Sequence, residues 1–224
     1  MNFLELAKVK VPACGIFAEP TFKSEMVNQV LEGEEVKVMD KKGRWLQVSL
    51  VFDGYEGWIH EMYLDNINGS DDYLKEINIE EFSDFPIIKA ACKMLGKPYI
   101  WGGRSYQGYD CSGLVQTTMN SLGFDFPRDA KKQAESKLLY EVSIEHVVEQ
   151  DFLFFEENGA VSHVAICMSQ NINSQNNLEY MFYMIHSSGI VKFSNVIFDK
   201  LLNACIDGKK DNEIKLHKAM RLRN

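Results

Sequence analysis

The segment from Pro98 to Gly123, PYIWGGRSYQGYDCSGLVQTTMNSLG, concentrates the residue types that could do chemistry. Gly102, Gly103 and Gly108 make a loop in which backbone can approach a ligand closely. Asp110 stands where a helix N-cap belongs, and Cys111 follows it. Cys111, Leu114, Val115, Thr118, Met119 and Leu122 then recur at the spacing of one helix face, and Gly123 can end that helix. The thiol is thereby placed in the first helical turn, where unpaired N–H groups and the positive end of the dipole favour a thiolate. The same amides could hold the oxyanion formed when a thiolate attacks a carbonyl. A thiol on the apolar face of a helix is otherwise a buried structural group, so a catalyst also needs a base and a group to orient it.

The sequence has five histidines. His163, in VSHVAICM, shares a strand face with Val161, Ala165 and Cys167. His186, in YMFYMIHSSG, shares one with Tyr180, Phe182 and Met184. The polar run SQNINSQNNLE between them reads as the loop of a long hairpin, so two adjacent antiparallel strands would present both imidazoles to the Cys111 helix. The candidate is therefore Cys111 as nucleophile, His163 as base and His186 as its orienting partner, with Asn171 and Asn173 as competitors for the last role. His60, His146 and His217 have no partner pattern. Cys14, Cys92, Cys167 and Cys205 lack polar, glycine-rich surroundings and read as structural, and Tyr99 and Trp101 read on pattern alone as core aromatics.

The elements that must position these residues fall into two groups. Residues 1–68 read as a small β-barrel: Val36 and Val38 alternate, Trp45 to Val51 runs into Asp53-Gly54, and Gly57-Trp58-Ile59 resumes the apolar character. Residues 69–84 read as a linker, within an acidic stretch that has room for one helical turn. After Pro86, the residues Ile87, Ile88, Ala91, Cys92 and Leu95 keep helical spacing, and Gly96-Lys97-Pro98 closes that helix. The fold class is α+β, with a second domain over residues 85–224.

Composition narrows the function. The chain has 224 residues, of which 46% are hydrophobic, enough for a real core. A net charge of −8 argues against a nucleic-acid binder, and Lys215, Lys218, Arg221 and Arg223 read as a solvated final strand or helix. No run approaches the ~20 apolar residues that span a bilayer. Residues 1–17 lack a basic start, apolar run and cleavage site, so the chain as given reads as cytoplasmic, or as periplasmic or extracellular if a leader has been removed. Five widely spread cysteines with no Cys-x-x-Cys pair argue against a disulfide framework and a zinc knuckle, and for a reducing compartment. No metal or cofactor is implied, and the oligomeric state stays open.

PYIWGG, then GYDCSGLVQ, then FPRDAKKQ (Phe126 to Gln133), then SHVAI resembles the NlpC/P60 cysteine peptidases over residues 86–200. Ser24 to Glu34 and Asp53 to Ile59 resemble the bacterial SH3 domain that precedes such peptidases. Together they are similar to the YkfC-like γ-D-glutamyl-L-diamino acid endopeptidases, which act on murein stem peptides. The resemblance implies an SH3-like barrel followed by a papain-like domain, an antiparallel sheet packed on helices with the nucleophile at a helix N-terminus. It implies Cys111 as nucleophile, His163 as general base and His186 as the third polar residue. It further implies that Asp110 binds the free amine of the substrate's L-Ala, that Ser112, Tyr99 and Trp101 line the stem-peptide site, and that Tyr55 and Glu25, with Tyr63 in reserve, reach it from the first domain. Ala130 stands where relatives often carry Ser. The activity implied is cleavage of the γ-D-glutamyl–diamino acid bond in freed peptides, in wall recycling. The alternatives are an exported hydrolase of intact wall and a non-catalytic peptide-binding module.

Overall fold

The protein, described here as a computed structural model, is traced over residues 5–65, 84–171 and 180–223. The stretch read as a linker with a helical turn, save its last residue Asp84, and Asn173 in the loop between the two histidines, lie outside the described residues.

Seven strands make the first sheet: β1 (Glu5–Val9), β2 (Ala13–Phe17), β3 (Met26–Leu31), β4 (Glu35–Lys42), β5 (Trp45–Leu50), β6 (Glu56–His60) and β7 (Leu64–Asp65). Their order is β3-β2-β6-β5-β4-β1-β7. Alternation decides which way each strand faces. Val36 and Val38 on β4 and Leu46, Val48 and Leu50 on β5 are buried, while the residues between them are less so. The Asp53-Gly54 turn joins β5 to β6 as the sequence suggests, with Gly54 at φ 75°. These inward residues pack with Cys14, Ile16, Val30 and Ile59 into one core.

Among the described residues the second part holds three α-helices, α1 (Pro86–Cys92), α2 (Cys111–Ser121) and α3 (Ala130–Ala134). A short ribbon, β8 (Arg104–Ser105) with β9 (Gly108–Tyr109), precedes α2. Its main sheet contains β10 (Leu139–Val142), β11 (Phe152–Glu157), β12 (Ala160–Asn171), β13 (Tyr180–Ser188), β14 (Ile190–Phe198), β15 (Asn203–Ile206) and β16 (Lys209–Leu222). The order is β10-β16-β11-β12-β13-β14-β15, and β15 also pairs with β16. The expected antiparallel sheet on helices is therefore present but curls until it closes into a ring. The basic tail is the final strand that the sequence allowed, solvated at Lys215 and Arg223 but buried along its other face. It is β16, which pairs with β10, β11 and β15, buries Leu216, Ala219 and Met220, and sets Arg221 against Asp151 at 2.8 Å.

Closure explains the run Phe152-Leu153-Phe154-Phe155, buried at every position. Phe152 and Phe154 pack outward against the α2 face of Leu114, Val115 and Met119. Leu153 and Phe155 point into the ring with Ala165, Cys167, Phe182, Met184, Val196 and Phe198. A strand buried on both faces has no polar side, which is why its sequence does not alternate. Each of these large side chains contributes about 1.5–3 kcal/mol by leaving water.

The two parts meet at a buried junction. The Tyr63 hydroxyl donates to the carbonyl of Gly189, in the turn between β13 and β14. Phe22 stacks near His60, with ring centroids 5.5 Å apart, and meets Tyr99 of the second part at 5.4 Å. Lys23 pairs with Glu157 across the same seam. Tyr63→Phe removes one donor while Gly189 keeps its bond from the Tyr99 amide at 2.6 Å. The expected loss is about 1 kcal/mol in urea unfolding, and an unchanged midpoint would show that the hydroxyl does not hold the junction.

Candidate active site

Asp110 builds the N-terminus of α2. Its backbone is extended, and its Oδ1 accepts the amide of Gly113 at 2.7 Å, the N-cap that the sequence suggests. Its Oδ2 accepts the amide of Gly102 at 2.8 Å, which ties the glycine loop to the helix. The loop lies so close that a Cβ at Gly113 would overlap the carbonyl oxygen of Gly103, so D-C-S-G and W-G-G are two halves of one contact. Arg128 completes the knot. Its Nη1 donates to Asp110 Oδ1 at 3.0 Å and to Ser112 Oγ at 2.9 Å, and its Nη2 reaches Oδ2 at 2.6 Å.

Cys111 is 8% exposed and opens onto a cleft of about 600 Å³. The open end of the ring forms the far wall. His163, opposite Phe155 on β11, and His186, opposite Lys192 on β14, meet there. His163 Nε2 lies 2.8 Å from His186 Nδ1. Cys111, His163 and His186 thus line one cleft, together with Tyr99 and the 71% exposed Trp101.

The electrostatics differ from the thiolate expectation. Burial, then the neighbouring Asp110 carboxylate, push the Cys111 thiol up to about 11, and the amides of Val164, Ser112 and Cys111 itself oppose this only in part. Burial, then the Lys192 cation, push the His163 imidazole down to about 4, against a smaller opposite pull from Asp110. Burial, His163 and Lys192 hold His186 well below the ordinary range. Desolvation outweighs the helix dipole here, so the resting pair is thiol and neutral imidazole. A neutral imidazole beside a thiol can take its proton as the sulfur attacks an acyl carbon.

The remaining residues named from sequence are placed unevenly. Asp110 and Ser112 face Arg128 rather than lining the cleft, so the carboxylate meant for a substrate amine already carries a guanidinium. Glu25 sits with Trp101 in an adjoining depression. Tyr55 is exposed beside the Asp53-Gly54 turn and lines neither hollow, and Tyr63 is fully buried at the junction. The first domain instead supplies Thr21, Phe22, Lys23, Arg44, His60 and Met62 to the cleft. His60, given no role from sequence, has its signal only in space, where Phe22 and Trp45 pack on it. Arg128 had a signal in P-R-D, a cation fixed by proline shortly after the helix.

A buried thiol at a helix N-terminus that lines one cleft with a hydrogen-bonded imidazole pair has the groups that a thiol needs for acyl transfer. Residues 96–196 match the NlpC/P60 family, and residues 16–64 match the bacterial dipeptidyl-peptidase SH3 domain. The chain carries an NlpC/P60 domain behind a bacterial SH3 domain, and NlpC/P60 peptidases are cysteine peptidases. A γ-D-glutamyl-L-lysine dipeptidyl-peptidase of Bacillus cereus is 27% identical over 65% of this chain and 66% of its own length. One of the same name from Bacillus subtilis is 39% identical over 36% of this chain and 27% of its own length. The chain thus spans less than two thirds of each of these relatives. A solved NlpC/P60 family protein of Bacillus cereus is 21% identical, covering 97% of this chain and 99% of that one, with a TM-score of 0.45.

The lowered His163 sets a pH expectation. Its neutral form persists down to about pH 4, so the acid limb of kcat/KM falls there and not near the ordinary 6.5. A limb at 6–7 would overturn this assignment. Arg128→Met would leave the Asp110 charge uncompensated beside the sulfur, so iodoacetamide alkylation of Cys111 at a fixed pH should slow, and an unchanged rate would remove Arg128 from the site's electrostatics.

Proposed function

We propose that this protein is a cysteine endopeptidase that hydrolyses the bond between γ-linked D-Glu and a diamino acid in murein peptides bearing a free N-terminal L-Ala. The observation that carries the reading is Cys111 and the hydrogen-bonded His163–His186 pair lining one cleft. The names of the two dipeptidyl-peptidase relatives support the bond chosen. In the proposed reaction, the Cys111 S–H bond breaks as its proton passes to His163 and sulfur bonds to the γ-carbonyl carbon. The carbonyl π pair moves to oxygen, held by amides of the α2 N-terminus. Collapse breaks the C–N bond, and His163 returns its proton to the leaving amine. Water then gives a proton to His163 and attacks the thioester carbon, the C–S bond breaks to release the acid, and His163 passes that proton to sulfur, which restores the thiol.

The first domain walls one side of the cleft through Phe22, His60 and Met62, which favours short freed peptides over glycan-linked wall. That preference, not Asp110, is the basis of the recycling role and cytoplasmic setting proposed here. The test is mass spectrometry of L-Ala-γ-D-Glu-meso-diaminopimelate, its L-lysine counterpart and N-acetylated copies. Wild type should release L-Ala-D-Glu, Cys111→Ala should lose about 10⁴-fold or more in kcat, and acetylation should slow cleavage at least about tenfold. Equal cutting of the acetylated copies would remove the free-amine requirement and leave the peptidase. No cutting of any copy would sink the peptidase reading.

A further inference from the structure

A second polar line continues behind the histidine pair. His186 Nε2 lies 2.9 Å from Ser194 Oγ, and Ser194 Oγ donates to Asp207 Oδ2 at 2.8 Å. The other carboxylate oxygen accepts the Asn195 amide at 3.0 Å, and Lys192 Nζ stands 3.4 Å from Oδ2. His186 and Ser194 are each 2% exposed, and Lys192 is buried beside them. Asp207 occupies the turn between β15 and β16 at φ 50°, with Gly208 at 75°. A non-glycine residue holds that conformation at a cost unless its surroundings fix it, and three partners fix this one.

The proton count along this line has one solution. A carboxylate only accepts, and a serine hydroxyl has a single proton, here committed to Asp207. Ser194 Oγ must then accept from His186, so the His186 proton is on Nε2 and its Nδ1 is bare. A bare Nδ1 accepts only from a donor, so His163 carries its proton on Nε2. A neutral His163 so protonated has a bare Nδ1. When that atom takes the thiol proton, the Nε2–H stays where it was and nothing further along the line has to move.

We propose that Ser194 and Asp207 are positioning residues that, through His186, lock His163 in the tautomer whose Nδ1 is free to accept the Cys111 proton. Neither residue belongs to the nucleophile–base–third-residue set, and neither touches substrate. The inference rests on the peptidase reading for its kinetic consequence, but the tautomers themselves can be read without substrate.

The experiment is long-range proton–nitrogen NMR of the histidine rings in the full chain, paired with kcat and KM on the cleaved peptide. His163 and His186 should both appear as Nε2–H tautomers. Ser194→Ala removes the acceptor at nearly constant volume, and should give mixed His186 tautomers and a kcat roughly tenfold lower, with KM within about twofold. Asp207→Asn, which tolerates the same backbone, should also free the serine proton and mix the tautomers. Ser194→Thr keeps the hydroxyl and should restore both readouts. An Nδ1–H His186 in the wild type, or wild-type tautomers and kcat in both Ser194→Ala and Asp207→Asn, would overturn the proposal. An ordered wild type that cuts no peptide would sink the peptidase reading while supporting the proton order.

Discussion

One carboxylate organises the catalytic half of this molecule. Asp110 accepts the amides of Gly113 and Gly102 and both nitrogens of the Arg128 fork. Those bonds start α2, pin the glycine loop that carries Tyr99 and Trp101, and draw the segment after α2 back over its own N-terminus. A capping bond alone stabilises a helix by about 1 kcal/mol. A carboxylate that caps, cross-links and pairs at once does more, because removing any partner strands charge beside a buried thiol. The same constraint sets a chemical cost. The negative charge that builds the helix end also works against the Cys111 thiolate, and Arg128 offsets part of that.

The site answers this by keeping its groups neutral at rest. Its histidines sit at one end of a closed ring that packs Leu153, Phe155, Phe182 and Phe198 inside. An imidazolium there would lose hydration and would face the Lys192 cation. The energetic problem is then to satisfy uncharged polar atoms, since a buried ring nitrogen without a partner costs about 1–3 kcal/mol. Ser194 and Asp207 solve it by ordering donors and acceptors, and Lys192 balances the carboxylate at the end.

Much of this was legible in the sequence because it is local. The N-cap, the first-turn cysteine and the glycine loop lie within one segment, and strand alternation put His163 and His186 on inward faces of a hairpin. What stayed hidden is what the ring's closure brings together. Ser194 is one small residue in IVKFSNVIF, and Asp207 reads as half of an ordinary Asp-Gly turn until β15 meets β16 and swings it behind His186. The closure itself was invisible because the tail's lysines and arginines masked a strand with a buried face at Leu216, Ala219 and Met220. The first-domain residues were misplaced for a related reason. Tyr55 is near the other aromatics in sequence but sits beside a hairpin tip, whereas Phe22 and His60 reach the cleft because the junction turns their loops toward it.

That junction bears on the chemistry. His186 and Ser194 belong to β13 and β14, joined at Gly189, where a Cβ would strike the sulfur of Met62 and where φ is 77°. The carbonyl of that glycine takes bonds from Tyr63 of the first domain and from the amide of Tyr99 in the loop before α2. One turn therefore registers three things against each other: the hairpin that holds the imidazole line, the loop that leads to the nucleophile, and the domain that walls the cleft. The turn thereby ties the strand that carries His186 to the loop that leads to Cys111. The first domain is accordingly bonded to the turn behind the imidazole line, in addition to walling the cleft.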